Sequence, residues 1–154
     1  MAKKKDIKVL LVDDEQAFVD TLSQRLQMRD LKVHKVYDGE QALSFVKGEE
    51  PDVMVLDLKM PGMQGMEVLK EIRKKYPKMQ VIILTGHGTD KDEQEARRLG
   101  GFDFLKKPAD IDTLVGRIKE AYKEKLERAM TAITFAEEGE FQTARDIMEK
   151  KDEE

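Results

Sequence analysis

Three stretches of this chain are apolar at every position, VLLV at 9–12, VMVL at 53–56 and VIIL at 81–84, and a fourth, FDFL at 102–105, is nearly so. A strand with one face in water alternates apolar and polar residues, whereas an unbroken Val/Ile/Leu run has to be buried on both faces. The stretches between these runs are long enough for helices, which suggests parallel strands joined by helical crossovers. A fifth run, LKVHKV at 31–36, is interrupted by charge and suits an edge strand, where lysine discourages pairing with other chains. Helical periods fill the gaps. Phe18, Leu22 and Leu26 recur every four residues; Val68, Leu69, Ile72 and Tyr76 form a second stripe that Pro77 closes; residues 91–99 read as a polar helix ended by Gly100 and Gly101. Strand and helix alternating five times over predict an open α/β sheet flanked by helices.

With 154 residues, 40% of them apolar, the chain is expected to form one core-bearing domain with an appendage. No apolar run approaches the roughly 20 residues that span a bilayer, and the opening MAKKKDIKVLLVDD lacks a signal-peptide apolar region. Cysteine is absent, which removes disulfides, Cys-ligated zinc and thiol catalysis and fits a reducing compartment. A cytoplasmic protein without membrane contact is the expectation. The net charge is -4, and from Tyr122 to Glu154 six Lys or Arg stand against ten Asp or Glu, so the tail carries the whole imbalance. The charge pattern predicts no DNA reader, and the lysines at 3–5 read as a solubilising overhang.

Toward the C-terminus, Asp110 or Asp112 caps a helix whose apolar positions continue through Ile111, Leu114, Val115, Ile118, Tyr122, Leu126, Ala129, Met130 and Ile133. Neither Gly nor Pro interrupts it from Arg117 to Glu138. Gly139 follows, and Phe141, Ala144, Ile147 and Met148 offer a second, shorter stripe. Residues 1–121 are therefore expected to form the domain, and 122–154 a helical extension with a hairpin turn.

Ligands of an open α/β sheet gather beyond the carboxyl ends of its strands. The residues standing there are Asp13 and Asp14 after the first run, Asp57 after VMVL, Thr85 after VIIL, and Lys106, Lys107 and Pro108 after the last. Alone, each has an ordinary explanation: a helix cap for the paired acids, a turn cap for Asp57, a turn residue for Thr85. Together, three clustered carboxylates repel one another and need a cation. With no His or Cys interleaved the ligands are all oxygen, which points to a hard ion, Mg2+ ahead of Ca2+. A carboxylate, a divalent ion, a lysine and a hydroxyl are what phosphoryl transfer to Asp57 requires: a nucleophile, two sources of charge neutralisation and a hydrogen-bond donor.

The stretches VLLVDDE, PDVMVLDLKMPGMQG, VIILTG and ARRLGGFDFLKKP resemble the receiver domain of two-component response regulators over roughly residues 6–121. The resemblance implies a flavodoxin-like, doubly wound five-stranded parallel sheet of order 2-1-3-4-5. It further implies Asp57 as phosphoacceptor, Mg2+ held by Asp13, Asp14, Asp57 and the Lys59 backbone carbonyl, and Thr85 and Lys107 as phosphoryl-binding groups. Phe104 falls at the aromatic switch position, where a ring turns inward as Thr85 moves. Lys107, directly before Pro108, matches the family lysine, and strand alternation turns Lys106 elsewhere. The Lys107-Pro108 bond is often cis in such domains.

Departures from the family pattern are Phe104, which lacks the tyrosine hydroxyl, and Gly101, where alanine is common. Lys59 and His87, two residues past Asp57 and Thr85, sit where such domains tune phosphoryl lifetime. His34 reads as a surface or sheet-edge residue. The expected partners are a sensor histidine kinase or histidine phosphotransfer protein and a protein effector.

For the tail, FAEEGEFQTARDIMEK resembles the turn of a tetratricopeptide hairpin, although one such unit cannot bury a core by itself. The apolar spacing from Ile111 to Ile133 alternatively forms a seam that pairs two chains, or the hairpin folds back on its own protein. Functionally, the expectation is a phosphoacceptor without enzymatic turnover. The alternatives are a phosphorylation-independent scaffold and a Mg2+-dependent aspartyl-phosphate phosphatase, for which Lys59 stands where a general acid is needed.

Overall fold

The computed structural model describes residues 6–137, with side chains to residue 132. The chain divides into two units, Met1–Tyr122 and Lys123–Glu154. Five strands alternate with five helices: β1 (Lys8–Val12), α1 (Gln16–Gln27), β2 (Lys32–Val36), α2 (Gly39–Gly48), β3 (Val53–Leu56), α3 (Gly65–Lys75), β4 (Gln80–Thr85), α4 (Asp90–Arg98), β5 (Asp103–Lys106) and α5 (Ile111–Glu137). Every strand pair is parallel and the order is β2-β1-β3-β4-β5, the flavodoxin-like sheet that the sequence implies.

The unbroken apolar runs have a direct structural reason. Successive residues of a strand face opposite sides, and both sides here are covered. Leu10 and Val12 of β1, Met54 and Leu56 of β3, and Val81 and Ile83 of β4 pack with Ala42 and Val46 of α2, Val68, Leu69 and Ile72 of α3 and Ala96 of α4. The alternate residues, Val9, Leu11, Val53, Val55, Ile82 and Leu84, pack with Val19 and Leu26 of α1 and Leu114, Val115, Ile118 and Ala121 of α5. A fully buried Leu or Ile contributes about 1.5–3 kcal/mol, so these two layers dominate the stability of the first unit. β2 lies at the edge, and its Lys32, His34 and Lys35 are exposed. His34 rests against Phe45, 5.1 Å between ring centroids.

Helix starts are held by side-chain oxygen. Asp38 accepts the Gln41 N–H at 2.8 Å at the start of α2. Of the two acids before α5, Asp110 is the one that accepts a first-turn amide, Thr113 N–H at 3.1 Å. α4 begins with a full capping box: Thr89 Oγ1 accepts Asp92 N–H at 3.1 Å and Asp92 accepts Thr89 N–H at 3.0 Å. Behind α4, Gly100 takes φ 94°, a conformation that favours glycine. On its exposed side α4 is tied to its neighbours by Asp103 of β5, whose carboxylate accepts from Arg97 of α4 at 3.2 Å and from Arg117 of α5 at 2.6 Å.

In the second unit, residues 123–137 are helical, and Leu126 and Met130 are exposed. The Ile133 side chain and the hairpin residues Gly139, Phe141, Ala144, Ile147 and Met148 lie outside the described residues. Among the described residues no helix is long and apolar enough to cross a membrane.

The capping box makes α4 sensitive to both of its members. Thr89→Ala should cost about 1 kcal/mol and lower the melting temperature by about 3 °C in a calorimetric scan at neutral pH. The hydrogen bond from Thr89 N–H, with Lys59 and Lys91 nearby, holds the Asp92 carboxyl below its ordinary value. A lowered carboxyl pKa contributes stability above about pH 4 and loses it as pH falls through the lowered value. The melting difference between wild type and Asp92→Ala should therefore narrow in acid.

Candidate functional site

The sheet order reverses direction at β1, whose neighbours β2 and β3 lie on opposite sides, and a crevice opens at such a switch point beyond the strand ends. The residues leaving the strands there are held by extensions of the ladder. Asp13 N–H donates to Val36 O at 3.3 Å, Asp57 N–H to Val12 O at 2.9 Å, and Lys107 N–H to Thr85 O at 2.9 Å. Asp57 is pinned further by Gly65 at the start of α3, where a Cβ would overlap the Asp57 carbonyl. Gly65 N–H donates to Leu58 O at 2.8 Å. The Lys107-Pro108 peptide bond is cis.

Carboxylate oxygens of Asp13, Asp14 and Asp57 lie within 4.8 Å of one another; Asp13 and Asp57 are buried and Asp14 is exposed. The Lys107 ammonium stands among them, 2.6 Å from Asp13 Oδ2, 3.4 Å from Glu15 Oε1 and 3.8 Å from Asp57 Oδ2. Asp13 Oδ1 accepts the Glu15 N–H at 3.0 Å. One lysine thus faces three acids. Burial, helped by the neighbouring Asp57 charge, pushes the Asp13 carboxyl above its ordinary value despite the hydrogen bonds from Lys107 and Glu15. Burial also works against the charge on Lys107, but the hydrogen bond to Asp13 and the charges of Asp13, Asp57 and Glu15 outweigh it and raise its pKa.

Asp57 Oδ1 is the decisive atom. It is buried and has no hydrogen-bond partner, although Asp57 is only 3% exposed. A buried acceptor without a partner is costly, and an all-oxygen cluster with surplus negative charge answers to a hard divalent cation. The donor set fits Mg2+, which uses few protein ligands and fills its shell with water or phosphate oxygens.

The remaining residues singled out in the sequence divide in two. Thr85 is fully buried at the end of β4, and its Oγ1 accepts the His87 N–H at 3.3 Å. The Phe104 ring is buried beside Thr85, in space that exists because residue 88 is glycine: a Cβ there would overlap the ring. Lys59 and His87 are exposed in the loops after β3 and β4, and Lys106 is exposed while Lys107 reaches the acids.

Four contributors escape the sequence reading. Glu15 stands directly behind the acid pair and its charge is the available clue. Phe18 counts in the sequence as one member of an apolar helix stripe, yet its ring lies under the Lys107 ammonium, 4.3 Å from nitrogen to centroid. Gly65 and Gly88 act through a missing Cβ, which composition and spacing do not report.

The family model for the response regulator receiver domain matches residues 9–119. The fold is similar to a CheY-like receiver domain protein from Methanospirillum hungatei JF-1, with a TM-score of 0.77 and 26% identity over 80% of this chain and 99% of that one. It is also similar to a receiver domain from Clostridium thermocellum, with a TM-score of 0.74 and 33% identity over 77% of this chain and 96% of that one. Against NtrX from Brucella abortus, solved in complex with ADP, the TM-score is 0.76 at 27% identity, covering 84% of this chain and 29% of that longer one. An acid cluster at the switch point of a 2-1-3-4-5 sheet and a family match over most of its length lead to one assignment: this chain belongs to the response regulator receiver domain family of two-component systems.

Proposed function

We propose that the chain accepts a phosphoryl group on Asp57 from a phosphohistidine of a sensor kinase or phosphotransfer protein in the cytoplasm, and passes the signal to a protein partner. The observation that carries this reading is the buried, unpartnered Asp57 Oδ1 at the centre of a cluster with surplus negative charge. In the transfer, an Asp57 carboxylate oxygen forms a bond to phosphorus while the phosphorus–nitrogen bond breaks and the donor imidazole keeps the electron pair. Lys107 neutralises charge on the phosphoryl oxygens, its ammonium already within 3.8 Å of Asp57. Thr85 donates a hydrogen bond from its hydroxyl to one of those oxygens. Mg2+, held by Asp13, Asp14, Asp57 and the Lys59 carbonyl, supplies further charge neutralisation when bound.

The readout is a shift between two packings of the α4, β5 and α5 face, with Thr85 and Phe104 as its moving parts. Phe104 is already buried beside Thr85, so motion of the threonine acts directly on the ring. Residues 1–121 form the receiver in this reading, and 122–154 pair with a second copy of the chain. The exposed Leu126 and Met130, four residues apart on one helix face, support that pairing.

Incubation with acetyl phosphate and Mg2+ should add one phosphoryl group to wild type by intact mass and none to Asp57→Asn or to wild type with EDTA. Gain by Asp57→Asn would remove Asp57 as the acceptor. Lys59, exposed beside the site, shields the acyl phosphate from water, and His87 tunes the same lifetime; Lys59→Ala should shorten the phosphorylated half-life several-fold in a quenched mass time course, and an equal half-life would dismiss the shield. Light scattering of the phosphorylated protein should give two chains per particle for the full chain and one after truncation at Glu124, and the same number of chains in both would dismiss the pairing.

A further inference from the structure

Lysine carries its charge on four flexible carbons, so its ammonium has to be held by what surrounds it. Around Lys107 three of the holders are carboxylates: Asp13 at 2.6 Å, Glu15 at 3.4 Å and Asp57 at 3.8 Å. The fourth is the face of Phe18, in the first turn of α1, with its centroid 4.3 Å from Nζ. That separation is well inside the roughly 6 Å range over which a ring face attracts a cation. The ring is half-buried and packs on the α1 and α5 side of the sheet, so its position is fixed by the core rather than by the lysine.

The two kinds of holder behave differently when the site is in use. Asp13 and Asp57 have competing calls on their oxygens: a cation at the cluster takes them, and esterification removes the Asp57 charge. A phenyl ring has no oxygen to lend and no charge to lose. We propose that Phe18 is a positioning residue for Lys107, its ring face, beside the exposed Glu15 carboxylate, holding the ammonium over Asp57 through the transfer step, when Asp13 and Asp57 are engaged elsewhere. The inference rests on the reading of Asp57 as phosphoacceptor. Among the charged groups of the site, the Phe18 ring face meets the Lys107 ammonium, so its effect on the transfer is felt through the lysine.

The test is the rate of phosphorylation of the full chain by acetyl phosphate in saturating Mg2+, read by intact mass across donor concentrations. Phe18→Leu and Phe18→Met keep apolar bulk and lose the ring; Phe18→Tyr keeps the ring. Leu and Met variants should show a maximal rate roughly five- to tenfold lower, with the Mg2+ concentration for half-maximal rate within about twofold of wild type, and Tyr should restore most of the rate. In a Lys107→Met background, Phe18→Leu should cause no further loss, a result that a merely structural role would not produce. Melting temperatures identify any variant that fails to fold, and the Leu and Met pair keeps one aliphatic replacement to judge. Rates within twofold of wild type for the folded aliphatic variants would overturn the inference, as would a Tyr variant as slow as Leu or an equal loss in the Lys107→Met background. Wild type that gains no phosphoryl group would overturn the phosphoacceptor reading and this inference with it, whereas normal wild-type gain beside an unaffected Phe18→Leu overturns this inference alone.

Discussion

A parallel sheet covered on both faces has nowhere to put a polar side chain except at the ends of its strands. In this chain the central strands β1 from Val9 on, β3 and β4 are buried residue by residue, with two helical layers drawing on alternate positions of each. The chain leaves every strand at the same edge, so Asp13, Asp57, Thr85 and Lys107 meet there though they are scattered over nearly a hundred positions. Ladder bonds extend past the strands to the amides of Asp13, Asp57 and Lys107. The core that stabilises the fold is therefore also what holds the acids in contact. Three carboxylates with oxygens within 4.8 Å would separate on a mobile loop.

Electrostatics at that edge are deliberately unbalanced. A buried ion pair such as Lys107 with Asp13 is weak evidence for stability, because desolvating two charges offsets most of their attraction. Its meaning here is functional: the pair leaves Asp57 Oδ1 without a partner and the cluster short of positive charge. In the proposed function such a site would be completed by a cation and a phosphoryl group rather than by the protein. A ring face beneath the ammonium is an uncharged contact in this set that neither of those additions would displace.

The face that the proposed signal would use is held by contacts of a different kind. Asp103 joins Arg97 of α4 to Arg117 of α5, and Arg117 lies over Phe102, 5.0 Å from the ring centroid. These groups are only partly shielded from water, and pairs of that sort are worth little individually. α4 itself offers only Ala96 as a fully buried side chain. A helix with so small a buried face, tied by a cap and by exposed ion pairs, can move at a cost that the deeply packed α3 could not meet, with its Val68, Leu69 and Ile72.

What the sequence alone determined was the layer architecture and the roster of strand-end residues. Unbroken runs such as VIIL can be satisfied only by burial on both faces, and one residue after each run is a position that spacing identifies without coordinates. Motif resemblance supplied the strand order, which periodicity does not encode. Tertiary structure decided the rest, because the remaining features are relations between distant residues. Asp110 rather than Asp112 caps α5 because its carboxylate meets the Thr113 amide. Gly65 and Gly88 matter for the backbone and the ring that occupy their missing side-chain volume. Phe18 looks like any member of an apolar stripe until the chain brings Lys107, 89 positions later in the numbering, over its face. A pattern along one helix records which side is apolar; which cation ends above it is settled only when α1 and the loop after β5 are packed against the same sheet.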